Sequence, residues 1–178
     1  DDLVITENET IDSLTVDLQV EHTWVGDIIA SLSNGSCTIQ LVHRLGTDLS
    51  SFGCSGDDID ITLDDAAAGS IEDACGSGPS GGAQGDFTPG DPTPNGLWPT
   101  AMADCVGETT AGTWTLNISD NATLDTGTLL NWCMNTTGTP TSGDGGGTVP
   151  ATSTTGLIIL AVLLMIGGSL FVMRRRKA

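Results

Sequence analysis

Residues 112–134, GTWTLNISDNATLDTGTLLNWCM, hold two strand patterns around a carboxylate-flanked turn. Trp114, Leu116 and Ile118 alternate with Thr113, Thr115, Asn117 and Ser119, the period of two expected when one face of a strand is buried and the other is wet. Leu130, Trp132 and Met134 repeat the pattern after the turn. Between the two runs, Asp120, Asn121 and Asp125 can bond the backbone through their side chains, and Gly127 closes the segment. The stretch reads as a β-hairpin or as a strand–loop–strand corner.

The same alternation runs outward toward the N-terminus. Leu14, Val16, Leu18, Val20, His22 and Trp24 share one face of a strand, and Val25-Gly26-Asp27 interrupts it. Ile28, Ala30 and Leu32 resume it as far as the turn Ser33-Asn34-Gly35-Ser36. Cys37, Ile39, Leu41 and His43 follow, then Ile59, Ile61 and Leu63 after the turn cluster 52–58. From Gly76 to Pro99 the chain is rich in Gly, Pro, Ser and Asp with little periodicity, which predicts a long surface loop. The pattern predicts an all-β, jelly-roll-like β-sandwich of about eight strands over residues 1–135.

Residues 136–155 are Thr/Gly/Ser/Pro-rich and read as a tether. Residues 156–173 form an uncharged run that spans about 27 Å as a helix, near the thickness of a bilayer core. This predicts one C-terminal transmembrane helix. Arg174, Arg175, Arg176 and Lys177 follow at once, and the positive-inside rule places residues 174–178 in the cytoplasm. The sandwich then lies outside it. Asp1 opens the chain within a strand-like pattern and without an initiator Met, which implies a removed signal peptide or a missing N-terminal part.

Of the five Lys and Arg residues, Arg44 alone precedes residue 174, against 23 carboxylates that all lie at or before Asp144. Such a field repels nucleic acid and favours cations or basic partners. A nucleic-acid partner is therefore excluded, and a protein partner and the membrane are expected. Catalytic residues are assigned to none: His22 and His43 both fall on strand patterns, and neither adjoins a nucleophile or metalloprotease motif. Carboxylates at strand ends and turns, Asp27, Asp64, Asp65, Asp120 and Asp125, could give Ca2+ its oxygen ligands at one such corner, although Asx turns and loop caps are the simpler account. Trp98 is the one tryptophan off the buried-face positions and so the one candidate for stacking on a sugar.

Five cysteines in an extracytoplasmic chain point to disulfides, and the absence of C-x-x-C spacing argues against zinc or redox chemistry. The residues alone do not select the pairing.

Several of these motifs resemble those of one family. The pattern G-T-W-T-L-x-I/V-x-D followed by D-x-G-x-L-x-x-W resembles the end of the P domain that follows the subtilisin-like catalytic domain in proprotein convertases. His22-Thr23-Trp24-Val25-Gly26-Asp27 resembles its H-T-Y/W-V-G-D-L segment, and Phe52 to Ile59 resembles the bacterial form F-G-C-S-G-D/N-D/N-I. The likeness covers about Leu14 to Met134. It implies a non-catalytic module that packs against a protease domain, with catalysis belonging to a separate upstream domain. Cys54 and Cys75 match family positions, so that pair is expected, with Cys37–Cys133 second and Cys105 left free or intermolecular.

Val149-Pro150-Ala151-Thr152-Ser153-Thr154-Thr155-Gly156, the apolar run and the terminal Arg cluster resemble the IPTL-type C-terminal sorting signal of Gram-negative envelope proteins. Val149, Pro150 and Gly156 mark that signal. It implies a bacterial inner-membrane protein with its domain on the periplasmic or extracellular side, released to the envelope if the tail is cut. Three functions follow: a membrane-anchored module that binds or stabilises a protein partner; an accessory subunit of a membrane complex held mainly by its helix, with Gly167-Gly168-Ser169 as a small-residue surface; or the C-terminal fragment of a subtilisin-like protease.

Overall fold

The computed structural model describes residues 1–47, 50–90 and 101–141. Eight strands are present among them: β1 (Asp2–Ile5), β2 (Glu9–His22), β3 (Ile28–Ser33), β4 (Thr38–His43), β5 (Asp57–Leu63), β6 (Gly81–Phe87), β7 (Gly112–Asp120) and β8 (Gly127–Pro140). They form two four-stranded sheets, in the orders β1-β7-β3-β4 and β6-β5-β2-β8. All pairings are antiparallel except β5 with β6. Residues 112–134 therefore form a corner rather than a hairpin, since β7 belongs to one sheet and β8 to the other.

The sheets share one apolar interior because each strand turns alternate residues inward. Leu14, Val16, Leu18 and Val20 of β2 meet Ile59, Ile61 and Leu63 of β5 on one side of it, with Ala30 and Leu32 of β3 and Trp114 and Leu116 of β7 on the other. Trp114 is wholly buried, and its indole N–H donates to the Thr110 carbonyl at 3.0 Å. That bond removes the cost of sealing a donor inside.

Three register shifts break simple alternation. At Gln19/Val20 the partner register on β8 skips Leu130, so Leu129 faces inward and Leu130 is exposed, contrary to the alternating expectation. A bulge resets parity, because two residues on one strand oppose one on the other. The same device at Ala30/Ser31 puts Leu41 and Val42 both in the core and leaves His43 half-buried. At Ile11/Ser13 it lets Ile11 and Leu14 point inward together.

Two boundaries move. The predicted loop from Gly76 contains β6, whose Gly82 approaches β5 so closely that a Cβ there would collide with the Asp57 and Asp58 carbonyls. Close backbone approach needs glycine, which erases the side-chain periodicity that marks a strand. The rest of that stretch, 91–100 with Trp98, lies outside the described residues. β8 continues past residue 135 to Pro140, its Thr136, Thr137 and Thr139 paired with Leu14, Ser13 and Thr10. Threonine favours an exposed strand as readily as a tether.

The structure joins Cys54 to Cys75, and Cys37 to Cys105. The expected Cys37–Cys133 pair does not form: Cys133 opposes Asp17 on the outer face of β8, exposed and free, whereas Cys37 is buried just ahead of β4. Trp132 and Met134 turn inward, so Cys133 must turn outward.

The run 156–173 expected to cross the membrane, the expected sorting residues Val149, Pro150 and Gly156, and Arg174, Arg175, Arg176 and Lys177 lie outside the described residues. Among the described residues no helix is long and apolar enough to cross a membrane.

Candidate functional site

Topology gathers acidic groups at one end of the sandwich. β2 ends there at Glu21 and His22, β5 begins there at Asp57 and Asp58, and Ile28 of β3 opposes Asp120 of β7. Gly127 opposes His22 where β8 begins. Asp27 and Asp125 join them from the turn after β2 and the β7–β8 corner.

His22 lies at the centre. Its side chain is 1 % exposed, and Nδ1 accepts a hydrogen bond from the Trp24 main-chain N–H at 3.0 Å. The ring hydrogen therefore sits on Nε2. Nε2 is buried and has no hydrogen-bond partner among the described residues, and the carboxylate oxygen Asp120 Oδ2 stands 3.5 Å away. A cleft of about 160 Å³ opens here between the sheets, walled by Val20, Ile28, Ile118 and Leu129 and bounded by His22 and Asp120. A second hollow of about 360 Å³, lined by Glu21, Asp57 and Asp58, adjoins it across His22 and Gly127. Gly127 creates the room, since a Cβ there would collide with the Glu21 carbonyl and the His22 ring.

This arrangement limits the chemistry. A histidine that acts as base or metal ligand needs a free ring lone pair. Here Nδ1 is occupied by a main-chain donor and Nε2 carries hydrogen, so His22 presents a donor only.

The five aspartates named as possible calcium ligands fall into two groups. Asp27, Asp120 and Asp125 lie at the His22 end, while Asp64 and Asp65 follow the far end of β5. Asp27 is buried, and its Oδ1 pairs with Arg44 Nη2 at 3.4 Å. Arg44 also donates from Nε to the Gly26 carbonyl at 3.1 Å. Asp125 Oδ1 accepts from the Thr23 hydroxyl, Asp120 Oδ1 from Ala122 N–H, and Asp64 Oδ1 from Ala66 N–H. Asp65 receives Met102 N–H at 2.8 Å and Ala103 N–H at 2.7 Å, one on each oxygen. These are turn and cap roles. Among the described residues no three His, Cys, Asp or Glu side chains gather in a way that could hold a metal ion.

Sequence reading missed the His22–Asp120 cleft. Its signal was present in part: His22 on an apolar strand face and Asp120 ending another, with the spatial link made only by the two sheet registers.

A family model for the proprotein convertase P-domain matches residues 89–136, and one for the LPXTG cell wall anchor motif matches residues 145–178. The first match takes in β7, the corner and most of β8. The second likens the tail to the LPXTG anchor motif, without singling out the IPTL type. No protein of curated function and no solved structure matches the chain. A P-domain match ahead of a cell wall anchor motif is the order of an envelope-attached extracytoplasmic module.

Proposed function

We propose that the chain is a non-catalytic P-domain-type module, held at the bacterial envelope by its C-terminal tail, that binds or stabilises a protein partner. The observation that carries this reading is the succession of a P-domain match on a β-sandwich and an anchor-motif match behind it. Val149-Pro150-Ala151-Thr152-Ser153 agrees with L-P-X-T-G at Pro150 and Thr152, which supports processing of the tail near Thr152. The apolar run 156–173 and the basic cluster behind it supply a membrane stop.

The partner is basic at the contact, because 23 carboxylates face only Arg44 ahead of the tail cluster. Leu124, 98 % exposed at the β7–β8 corner, offers an apolar contact beside the acidic end. Carboxylate-to-amine cross-linking in intact cells, followed by mass spectrometry, tests the reading. One extracytoplasmic protein should be joined reproducibly to Asp or Glu of residues 1–141. Cross-links confined to the tail would favour the accessory-subunit reading, and links only between copies of the chain would remove the partner.

A further inference from the structure

We propose that the free edge of β8 is the seat of a second copy of this chain, the two β8 strands pairing antiparallel about a twofold axis at Cys133. The inference does not rest on the proposed function, whose basic partner is expected at the carboxylates and not at this edge.

The four sheet edges are β1, β4, β6 and β8, and β8, with 14 residues, is the longest. The chain covers two of the others itself. Beside β4 the Gly90 N–H donates to the Leu41 carbonyl, and the His43 N–H donates to Glu72 Oε1. Beside β6 the Gly76 and Gly78 N–H groups reach the Gly81 and Gly82 carbonyls, and the Gln84 N–H reaches Ser77 Oγ. Along β8, up to Pro140, no main-chain hydrogen bond of that kind exists among the described residues. An uncovered edge is a template for another strand.

The sheet registers fix which groups that edge presents. The His22 N–H turns to Asp58 of β5, so even-numbered residues of β2 from Leu14 onward face β5 and odd-numbered ones face β8. Asp17 and Cys133 are therefore a hydrogen-bonded pair, and alternation leaves the N–H and C=O groups of Trp132, Met134 and Thr136 at the open edge. The core is also unsealed on this side. Leu129, Trp132 and Met134 are only half-buried, whereas Val16, Leu18, Leu63 and Trp114 on other strands are wholly buried. Leu130 is exposed here, as are Leu3 and Val4 on β1, and a hollow of about 410 Å³ lies between Leu3, Leu130 and Trp132.

Charge selects the occupant. Ahead of the tail cluster the chain sets 23 carboxylates against Arg44, so two copies repel wherever their acidic surfaces meet. β8 carries no charged residue, and it has no proline before Pro140. It is thus an edge on which an equally acidic copy can sit, while a basic partner gains nothing there. The bulges at Gln19/Val20 and Ile11/Ser13 leave residues 131–137 as its regular stretch. A twofold axis at Cys133 sets Trp132 opposite Met134 of the second copy, and Asn131 opposite its Asn135, each contact occurring twice. Indole against thioether is a favourable pair. An axis at Met134 would set Trp132 against Thr136, and one nearer the strand's start would run into the bulge at Leu130.

Cys133 reports the pairing. It would form a pair that is not hydrogen-bonded with its own copy, Cα atoms about 4.5 Å apart and within disulfide range. Asn131 and its own copy would stand about 14 Å apart, out of range. The full chain in detergent micelles is oxidised with copper–phenanthroline in air, where two thiols lose two protons and two electrons to dioxygen. The expected product is a dimer joined through Cys133. In a Cys133→Ser background, Asn131→Cys chains and Asn135→Cys chains should each stay monomeric alone and cross-link at least tenfold faster when mixed. Met134→Pro removes an edge N–H without touching the β2 ladder, and sedimentation should show its dimer dissociation constant raised at least tenfold. Cross-linking of Asn131→Cys chains alone as fast as the mixture, or a full chain that is monomeric at micromolar concentration, overturns the β8 dimer. So does an unaltered dimer in Met134→Pro. The carboxylate cross-links of the proposed function lie elsewhere on the surface, so either reading can fail without the other.

Discussion

Gly127 opposes His22 across the β2–β8 pair with no room for another carbon: a Cβ on Gly127 would run into the His22 ring. The contact keeps the imidazole in place under Trp24 N–H, with Nε2 3.5 Å from Asp120 Oδ2. Gly127→Ala should therefore destabilise the sandwich by about 1–3 kcal/mol, the usual cost of overpacking. Urea unfolding followed by Trp fluorescence measures this, and an unchanged midpoint would show that the corner yields.

The disulfides differ in the length of chain they close. Cys37 and Cys105 are 68 residues apart, Cys54 and Cys75 only 21. On the loop-entropy model the longer loop is worth about 4 kcal/mol and the shorter about 3 kcal/mol. Cys37→Ser with Cys105→Ser should thus lower the unfolding midpoint more than Cys54→Ser with Cys75→Ser. Native alkylation should modify Cys133 and no other cysteine.

Strand positions and the sandwich were legible because inward side chains recur at every second position from Leu14 to His22 of β2 and along β3, β5 and β7, and each sheet has one dry face. What was not legible follows from two physical causes. Bulges shift parity without any residue that advertises them, which is why Leu130 looked inward and Leu129 outward. Glycine at a close approach removes the pattern altogether, which is why β6 read as loop. The Cys37–Cys133 expectation conflicted with a pattern already in view, since inward Trp132 and Met134 leave Cys133 on the outside. The cleft needed both sheet registers, which no local pattern carries: His22 and Asp120 are 98 positions apart.

The bulge makes a direct prediction. Leu129 packs against the core and Leu130 is 55 % exposed. Leu130→Thr should change stability by less than about 0.5 kcal/mol, as surface substitutions do. Leu129→Thr should cost about 1–2 kcal/mol through lost apolar burial. Reversal of that order would mean that β8 is registered without the bulge.

Asp27 and Arg44 form a pair in which the carboxylate side chain is 6 % exposed. Arg44→Ala leaves that charge buried with its partner gone, and should cost about 3 kcal/mol. Arg44→Lys keeps the charge but loses the fork that also reaches the Gly26 carbonyl, so an intermediate loss is expected. Asp27→Asn in the Arg44→Ala background should recover part of the loss if charge burial is the cause. A double mutant no more stable than Arg44→Ala alone would assign the cost to the Gly26 bond instead.

Leu124 holds a positive φ of 92° and is 98 % exposed. Both features oppose folding: a branched side chain strains that backbone region, and a fully exposed apolar one gains nothing from burial. Leu124→Gly should raise stability by about 0.5–1 kcal/mol, the relief of left-handed strain less the entropy that glycine adds to the unfolded chain. Partner cross-linking should fall in the same variant, because the corner would lose its one large apolar contact beside the acidic end. A gain in stability with undiminished cross-linking would separate the corner from recognition and leave the strain without a use.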